Sequence, residues 1–423
     1  MTWFACELHT HTLHSDGRQT LGELAAGAAG LGFDVIALTD HNTMSGLVGK
    51  EEIEQEHGLT IIPGMEWTTF YGHMVTIGLS EFADWRQAGL DDIDQGIAEV
   101  HRLGGIAGLA HPFRIGSPAC TGCFWEYKID DWNAVDYIEV WSGTFPSIQT
   151  NNRRAFDLWT DKLNEGYRIA ATSGRDWHEQ KETDEPISVT YLEIDEETAD
   201  GKKAGGSRTD SGSKETPAGN GSCAAEKARD TESEKNAADG FAASVSLEDR
   251  LIQALREGRA SVTIGPLLTM KLNAGGESYR IGSVVPAAGQ AEEHSGTTAA
   301  ANELISVDLL LDFSVRAGLW SLPEQTFKLK LQSNLGEELS LDVPVPVSAE
   351  AEESASDHGG HIKTETQNQA QQMRLEAKLP HPTDKLSRKW LRAELWGHMR
   401  GVYVRIAFTN AIYFEYEEGA TSR

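Results

Sequence analysis

Within the first seventeen residues, MTWFACELHTHTLHSDG, three imidazoles (His9, His11, His14) and one carboxylate (Asp16) follow directly on a short apolar run. Imidazole nitrogens and carboxylate oxygens are the donors that hold divalent ions of intermediate softness. His9 and His11 are two apart, and in an extended segment such residues point to the same side, so both can reach one ion. Asp176-x-His178 repeats the device with mixed donors. Further candidates lie along the chain in the same kind of place. Asp40 and His41 follow VIALT, Glu66 follows LTIIPGM, His111 follows IAGLA, and Asp176 and His178 follow IAATSGR, with His73 and Glu139 in or beside other apolar runs. The set is larger than the roughly three protein ligands of one catalytic zinc. It suits two or three divalent ions, with Zn, Mn and Fe all compatible with nitrogen and oxygen donors.

These residues can meet only if the elements carrying them converge. WFACEL, DVIAL, LTII, HMVTIG, GIAGLA, DYIEVW, YRIAA and SVTYLEI read as short strands, with helix patterns between several of them. Thr20-x-x-Glu23 is a capping-box signature opening a helix to Leu31, and a second helix from Asp91 to Leu103 stops at Gly104-Gly105. Repeated strand and helix units imply an α/β fold, a parallel sheet or barrel, whose strand C-termini share one face where such folds build active sites. After residue 243 the pattern changes. SLEDRLIQALREGRASVTIGP gives a helix and strand, then period-two runs (ISVDLLLDFSVRA, TFKLKLQSN, MRLEAKLP, VYVRIAFTNAIYFEY) predict an antiparallel sandwich.

The chain of 423 residues is long enough for two folded units. From Asp195 to Gly240 it lacks every aliphatic residue larger than Ala, every Met and every aromatic, so residues 196–243 are expected to be a disordered linker. Polar stretches at 286–303 and 347–372 interrupt the second unit. The expected division is 1–195, linker 196–243, and 244–423. The net charge of -28 argues against long nucleic acid and anionic membranes, because the field repels phosphate polymers, while small anionic substrates remain compatible with bound cations. No run approaches the roughly 20 apolar residues of a membrane span. Cys6, Cys120, Cys123 and Cys223 are too few and too irregular for a disulfide framework, which together with the absence of a leader points to the cytoplasm. Cys120-x-x-Cys123 alone is a weak signal for a zinc knuckle or redox pair.

HTHTLHSDG, LTDHNT, PGMEW, GHMVTIG, AHP and SGRDWH, in that order, resemble the motifs of the PHP (polymerase and histidinol phosphatase) superfamily of metal-dependent phosphoesterases, and most closely its CehA/McbA branch. The resemblance implies a distorted (β/α)7, TIM-like barrel followed by a smaller β-rich domain. It implies that His9, His11, Glu66 and Asp176 hold a first metal, that Glu66 bridges to a second held by His73 and His111, and that Asp16, His41 and His178 hold a third. It further implies in-line attack on phosphorus by a hydroxide shared between metals, with no covalent protein nucleophile. Asp40 is expected to orient His41 or a neighbour, and Arg175, where many members carry a small residue, either to clamp a substrate phosphate or to pair with Glu139 or another acid, with Arg114 a second candidate phosphate contact. Glu139 is a candidate partner for a ligand imidazole. His14, His57 and His101 read as structural, and Trp67, Trp141 and Trp177 as core. The expected activity is hydrolysis of a small phosphate mono- or diester or short nucleotide. The alternatives are a carbamate or amide-type hydrolase on the same metals, and a non-catalytic binding module that the metals stabilise.

Overall fold

The computed structural model describes residues 1–116, 122–195, 245–286, 304–344, 372–380 and 387–415. The expected linker 196–243 lies outside the described residues, as do Cys120, Cys223 and almost all of the two polar stretches. The first block runs β1 (Thr2–Thr10), α1 (Leu21–Gly30), β2 (Val35–Leu38), α2 (Lys50–His57), β3 (Thr60–Thr68), β4 (His73–Ile77), α3 (Ile93–Arg102), β5 (Ile106–Leu109), β6 (Tyr137–Ser142), α4 (Thr150–Glu165), β7 (Ala170–Gly174) and β8 (Val189–Ile194). The capping box is present at the start of α1: the Glu23 amide donates to Thr20 Oγ1 (3.2 Å) and the Thr20 amide to Glu23 Oε2 (2.8 Å). None of the described helices is long and apolar enough to cross a membrane.

Strands β1 to β7 neighbour one another in chain order, and β8 lies antiparallel on the other flank of β1. The path curls until the segment after β7 returns to the end of β1. There the His11 amide donates to Trp177 O (2.9 Å) and the Trp177 amide to His9 O (3.0 Å). Sequence patterning suggested a uniformly parallel arrangement, but β4 is antiparallel to both β3 and β5. The connection 69–72 is far too short for a crossover helix, so the chain must turn back as a hairpin. That reversal puts His73, the first residue of β4, opposite Thr68 at the end of β3, two positions past Glu66.

The second block runs α5 (Leu247–Arg256), β9 (Ala260–Thr263), β10 (Leu267–Ala274), β11 (Glu277–Arg280), β12 (Val284–Val285), β13 (Leu304–Asp312), β14 (Thr326–Ser333), β15 (Gly336–Pro344), β16 (Gln372–Pro380), β17 (Trp390–Met399), β18 (Val402–Thr409) and β19 (Ile412–Phe414). A four-stranded sheet, β11-β10-β13-β16, packs its apolar face (Met270, Val307, Leu309, Leu311) in one core with Leu329, Leu331, Leu395 and Ile406 of the other sheet.

The two blocks are joined through the backbone. β9 pairs antiparallel with β8 and, on its other side, with β18, so one sheet runs from the first block into the second. Helix α5 packs on β8 and buries Leu251 and Leu255 in one cluster with Cys6, Leu8 and Val35. The fully buried Asn410 side chain accepts from the Ala171 amide (2.7 Å) and donates to Ala171 O (2.9 Å) and Ala260 O (3.2 Å), tying β7 to the end of β18. A buried ion network adds a second tie. Glu394 accepts from Arg392 (2.8 Å), Arg405 (3.0 Å) and the Trp396 indole (2.8 Å), while Arg392 also donates to Thr160 of α4 (3.0 Å) and lies over Phe156 and Trp159.

Asn410→Ala strands the Ala171 amide and carbonyl without water, which should cost about 3 kcal/mol; urea denaturation should show a lower midpoint at an unchanged slope. Burial pushes the Glu394 carboxyl up, but Arg405 and Arg392 outweigh it and hold the group at about 2, below its ordinary 4.5. A folded-state value below the unfolded one stabilises the protein fully above pH 4.5 and is lost as pH falls towards 2. Glu394→Gln should therefore flatten the decline of the urea midpoint over that window.

Candidate metal centre

Every metal-ligand candidate named from sequence lies at the same end of the first-block strands. His9 is on β1 and His11 just beyond it; His41 follows β2, Glu66 ends β3, His73 opens β4, His111 follows β5, and Asp176 and His178 follow β7. Their donor atoms form three overlapping groups, each within 4.8 Å: His9, His11, Glu66 and Asp176; Glu66, His73 and His111; and His11, Asp16, His41 and His178. The first two match the expected sets. The third adds His11, which thereby stands between two groups.

Glu66, fully buried, is the centre. Its Oε2 lies 3.1 Å from His9 Nε2, 3.4 Å from His11 Nε2 and 2.9 Å from His41 Nδ1, while Oε1 faces His73 Nδ1 at 2.9 Å and His111 Nε2 at 3.3 Å. One oxygen thus serves each of two groups, the geometry of a bridging carboxylate. Asp176 Oδ1 lies 3.0 Å from His11 Nε2 and 3.4 Å from His9 Nε2, and Asp16 Oδ1 faces His41 (3.3 Å) and His178 (3.0 Å).

Two of these side chains are aimed by strained backbone. His111 (φ 28°) and Asp176 (φ 54°) occupy the left-handed region that non-glycine residues avoid, a cost tolerated where geometry is imposed by the surroundings. Asn42, also left-handed, locks the turn after His41 by exchanging hydrogen bonds with the Thr68 amide and carbonyl (both 2.9 Å).

Burial raises Glu66 and Asp176, but the imidazoles around Glu66, and His9 with Arg114 beside Asp176, hold both well below the usual carboxylate range. Burial lowers His9, yet Glu66, Glu139 and Asp176 carry it well above its ordinary value; His41, bonded to Asp16 and Glu66, is raised to about 10. His11 and His111 stay lowered by burial. The donor set tests directly for a cation: His9 Nε2, His11 Nε2, Glu66 Oε2 and Asp176 Oδ1 are buried, converge, and lack hydrogen-bond partners. Buried polar atoms without partners are rare, and several pointing at one volume fit a metal ion.

Glu139 sets the imidazole for that task. Its Oε2 accepts from His9 Nδ1 at 2.7 Å, which leaves Nε2 with its lone pair towards the cluster. Asp40 stands outside the three groups and orients a neighbour rather than the cluster, and the Arg175 guanidinium points elsewhere. Asp40 is fully occupied holding the loop before Asp16: it accepts from the Thr12 amide, the Thr12 hydroxyl and the Ser15 hydroxyl, all at 2.7 Å. The guanidinium on the cluster is Arg114's, which bonds Asp176 and, at 2.6 Å, Ser142, whereas that of Arg175 lies over the Trp177 ring. Glu7 was missed. It is buried, accepts from the His9 amide (3.2 Å) and the Arg175 amide (2.8 Å), and is pushed up to about 7 by burial. A charged residue at the i−2 position to His9 in an otherwise apolar strand was the available signal. His14 bonds Ser45 (2.8 Å) outside the groups, His57 and His101 sit on α2 and α3, and the three tryptophans are buried. Cys123 is disulfide-bonded and Cys6 free.

A mixed α/β chain with a His, Glu and Asp cluster at its strand ends has the arrangement of a metal-dependent hydrolase. Residues 7–102 match the PHP domain model, a span that holds His9, His11, Asp16, His41, Glu66 and His73. An uncharacterized protein of Methanocaldococcus jannaschii is 30% identical over 131 residues, covering 27% of this chain and 69% of that protein. The chain belongs to the PHP domain family. It is also 29% identical over 83 residues to the phosphoribosyl 1,2-cyclic phosphate 1,2-diphosphodiesterase of Eggerthella lenta, covering 18% of this chain and 32% of that enzyme. Among solved structures, a two-domain protein containing a predicted PHP-like metal-dependent phosphoesterase from Bacteroides vulgatus aligns over 97% of this chain and 95% of its own, at 13% identity and a TM-score of 0.41.

The carboxylates around His9 and His41 raise both above their ordinary values, so a metal ion competes with protons for these imidazoles. Calorimetric titration with Zn²⁺ or Mn²⁺ in buffers of different ionisation enthalpy should show proton release, and affinity should rise with pH. Glu139→Ala should weaken metal binding about 10- to 100-fold in the same titration, on protein that keeps its far-ultraviolet spectrum.

Proposed function

We propose that this chain is a metal-dependent phosphoesterase of the CehA/McbA type, a distorted (β/α)7 barrel acting on a small phosphate mono- or diester or a short nucleotide. The observation that carries the reading is Glu66, whose two oxygens each face a different ligand group. His9, His11, Glu66 and Asp176 would hold one ion, Glu66, His73 and His111 a second, and Asp16, His41 and His178 a third. Bound divalent ions lower the pKa of water and neutralise charge on phosphoryl oxygens.

The chain's own residues supply positioning. Glu139 fixes the His9 tautomer, Asp40 fixes the loop that delivers Asp16, and Asn42 fixes the approach of His41. Arg114, bonded to Asp176 at the edge of the cluster, is placed to contact a substrate oxyanion. A diesterase that acts on a cyclic phosphate among the relatives supports phosphorus as the centre attacked. On this reading residues 1–195 carry the chemistry, residues 244–423 brace them, and the protein works in the cytoplasm.

Protein loaded with Mn²⁺ or Zn²⁺ should hydrolyse p-nitrophenyl phosphate or bis-p-nitrophenyl phosphate, and a chelator should abolish turnover. Glu66→Gln and Asp176→Ala should each lower kcat/KM by at least about a hundredfold with the far-ultraviolet spectrum retained. Turnover of an aryl carbamate but of neither phosphate ester would defeat the phosphoesterase reading, and metal retention without turnover of any of them would favour a binding module.

A further inference from the structure

An open cleft of about 990 Å³ lies between the C-terminal half of α1 and the loop leading to β8. Asp176 is aimed into the metal cluster, whereas Arg175 and Trp177 on either side of it line this cleft. The Arg175 guanidinium sits 4.1 Å over the Trp177 ring, and its Nη1 is buried with no hydrogen-bond partner. Arg175 nevertheless lines the cleft, and a guanidinium presents a planar fork of donors that a ligand carboxylate can engage.

The rim has the opposite character. Lys181, Glu182, Asp184 and Glu185 line it, all exposed, so that acids outnumber the one lysine. Glu185 accepts from the Thr144 hydroxyl, and Asp184 is taken by Arg400 at 3.0 Å. A cationic floor beneath an acidic rim favours a ligand that carries both signs over a multiply charged anion, which the rim repels. The volume is that of a small-molecule site.

We propose that this cleft is a second ligand site, separate from the metal centre, for a small zwitterion of the amino-acid class, with the carboxylate on Arg175 and the ammonium facing Glu182 and Glu185. The site takes its anion on Arg175, which lines the cleft and lies over Trp177 rather than on the cluster.

The test is calorimetric titration of the full-length protein, stripped of metal by a chelator, with the common L-amino acids. Matching carboxylic acids, matching amines and inorganic phosphate serve as comparison probes. At least one amino acid should bind saturably, and its acid and amine counterparts should each bind at least about tenfold more weakly, as expected when one of two charged contacts is lost. Arg175→Gln should abolish binding and Arg175→Lys retain part of it. The exposed double change Glu182→Gln with Glu185→Gln, which leaves the core untouched, should weaken the amino acid but not the carboxylic acid. Absence of any saturable amino-acid binding, phosphate binding as tightly, or unchanged affinity in Arg175→Gln would overturn the assignment. Metal-loaded protein should bind equally well, and binding that appears only with metal would place the ligand at the metal centre instead.

Discussion

A single carboxylate, that of Glu66, sits fully buried with five imidazoles within 3.4 Å. An isolated charge in such a place would be expelled or neutralised, since desolvation alone costs more than any one contact returns. The surrounding fold is the means by which that charge is kept. Four strand ends bring the histidines in, and outer carboxylates, Glu139 behind His9 and Asp16 between His41 and His178, hold those histidines in turn. The centre is therefore a set of alternating charges rather than a single pair. Its inner donors face one another at distances that divalent ions would resolve better than hydrogen bonds do.

The backbone pays for this arrangement locally, at His111 and Asp176, where side chains from β5 and β7 must turn inwards against the preference of φ. The β3 to β4 hairpin does the same work without strain. By reversing the chain over a handful of residues it returns His73 to the side of Glu66, so that both oxygens of one carboxylate are used.

Much of the centre was legible in the sequence because strand ends and donor residues coincide there. His-x-His needs only the alternation of an extended chain to define a pair, and apolar runs before His41, Glu66, His111 and Asp176 mark where each side chain emerges. Direction was less legible than position. Arg114 and Arg175 lie close along the chain to ligands, and which of them reaches the cluster depends on turns after His111 and around Asp176 that no local pattern encodes. Asp40 was similarly ambiguous, since a buried carboxylate beside a ligand can serve either the ion or the loop, and only the Thr12 and Ser15 partners decide. The reversal of β4 was open to reading from its short connection but conflicts with the repeating strand and helix rhythm around it. The clamp by Asn410 had no signal at all, because FTNAIYF shows an ordinary asparagine between two strands and its partners are far away in the chain.

The pairing of β8 with β9, and of β9 with β18, has a bearing on how the protein is made. On the ribosome, β8 emerges with one edge satisfied by β1 and the other bare, and it stays so until Ala260–Thr263 follow. That strand in turn waits for Val402–Thr409. The first block is thus complete in candidate ligands by His178, yet its sheet keeps an open edge until these later strands are made. An unpaired edge invites association with other nascent chains. The cell would need to shield this one until its partner strands emerge.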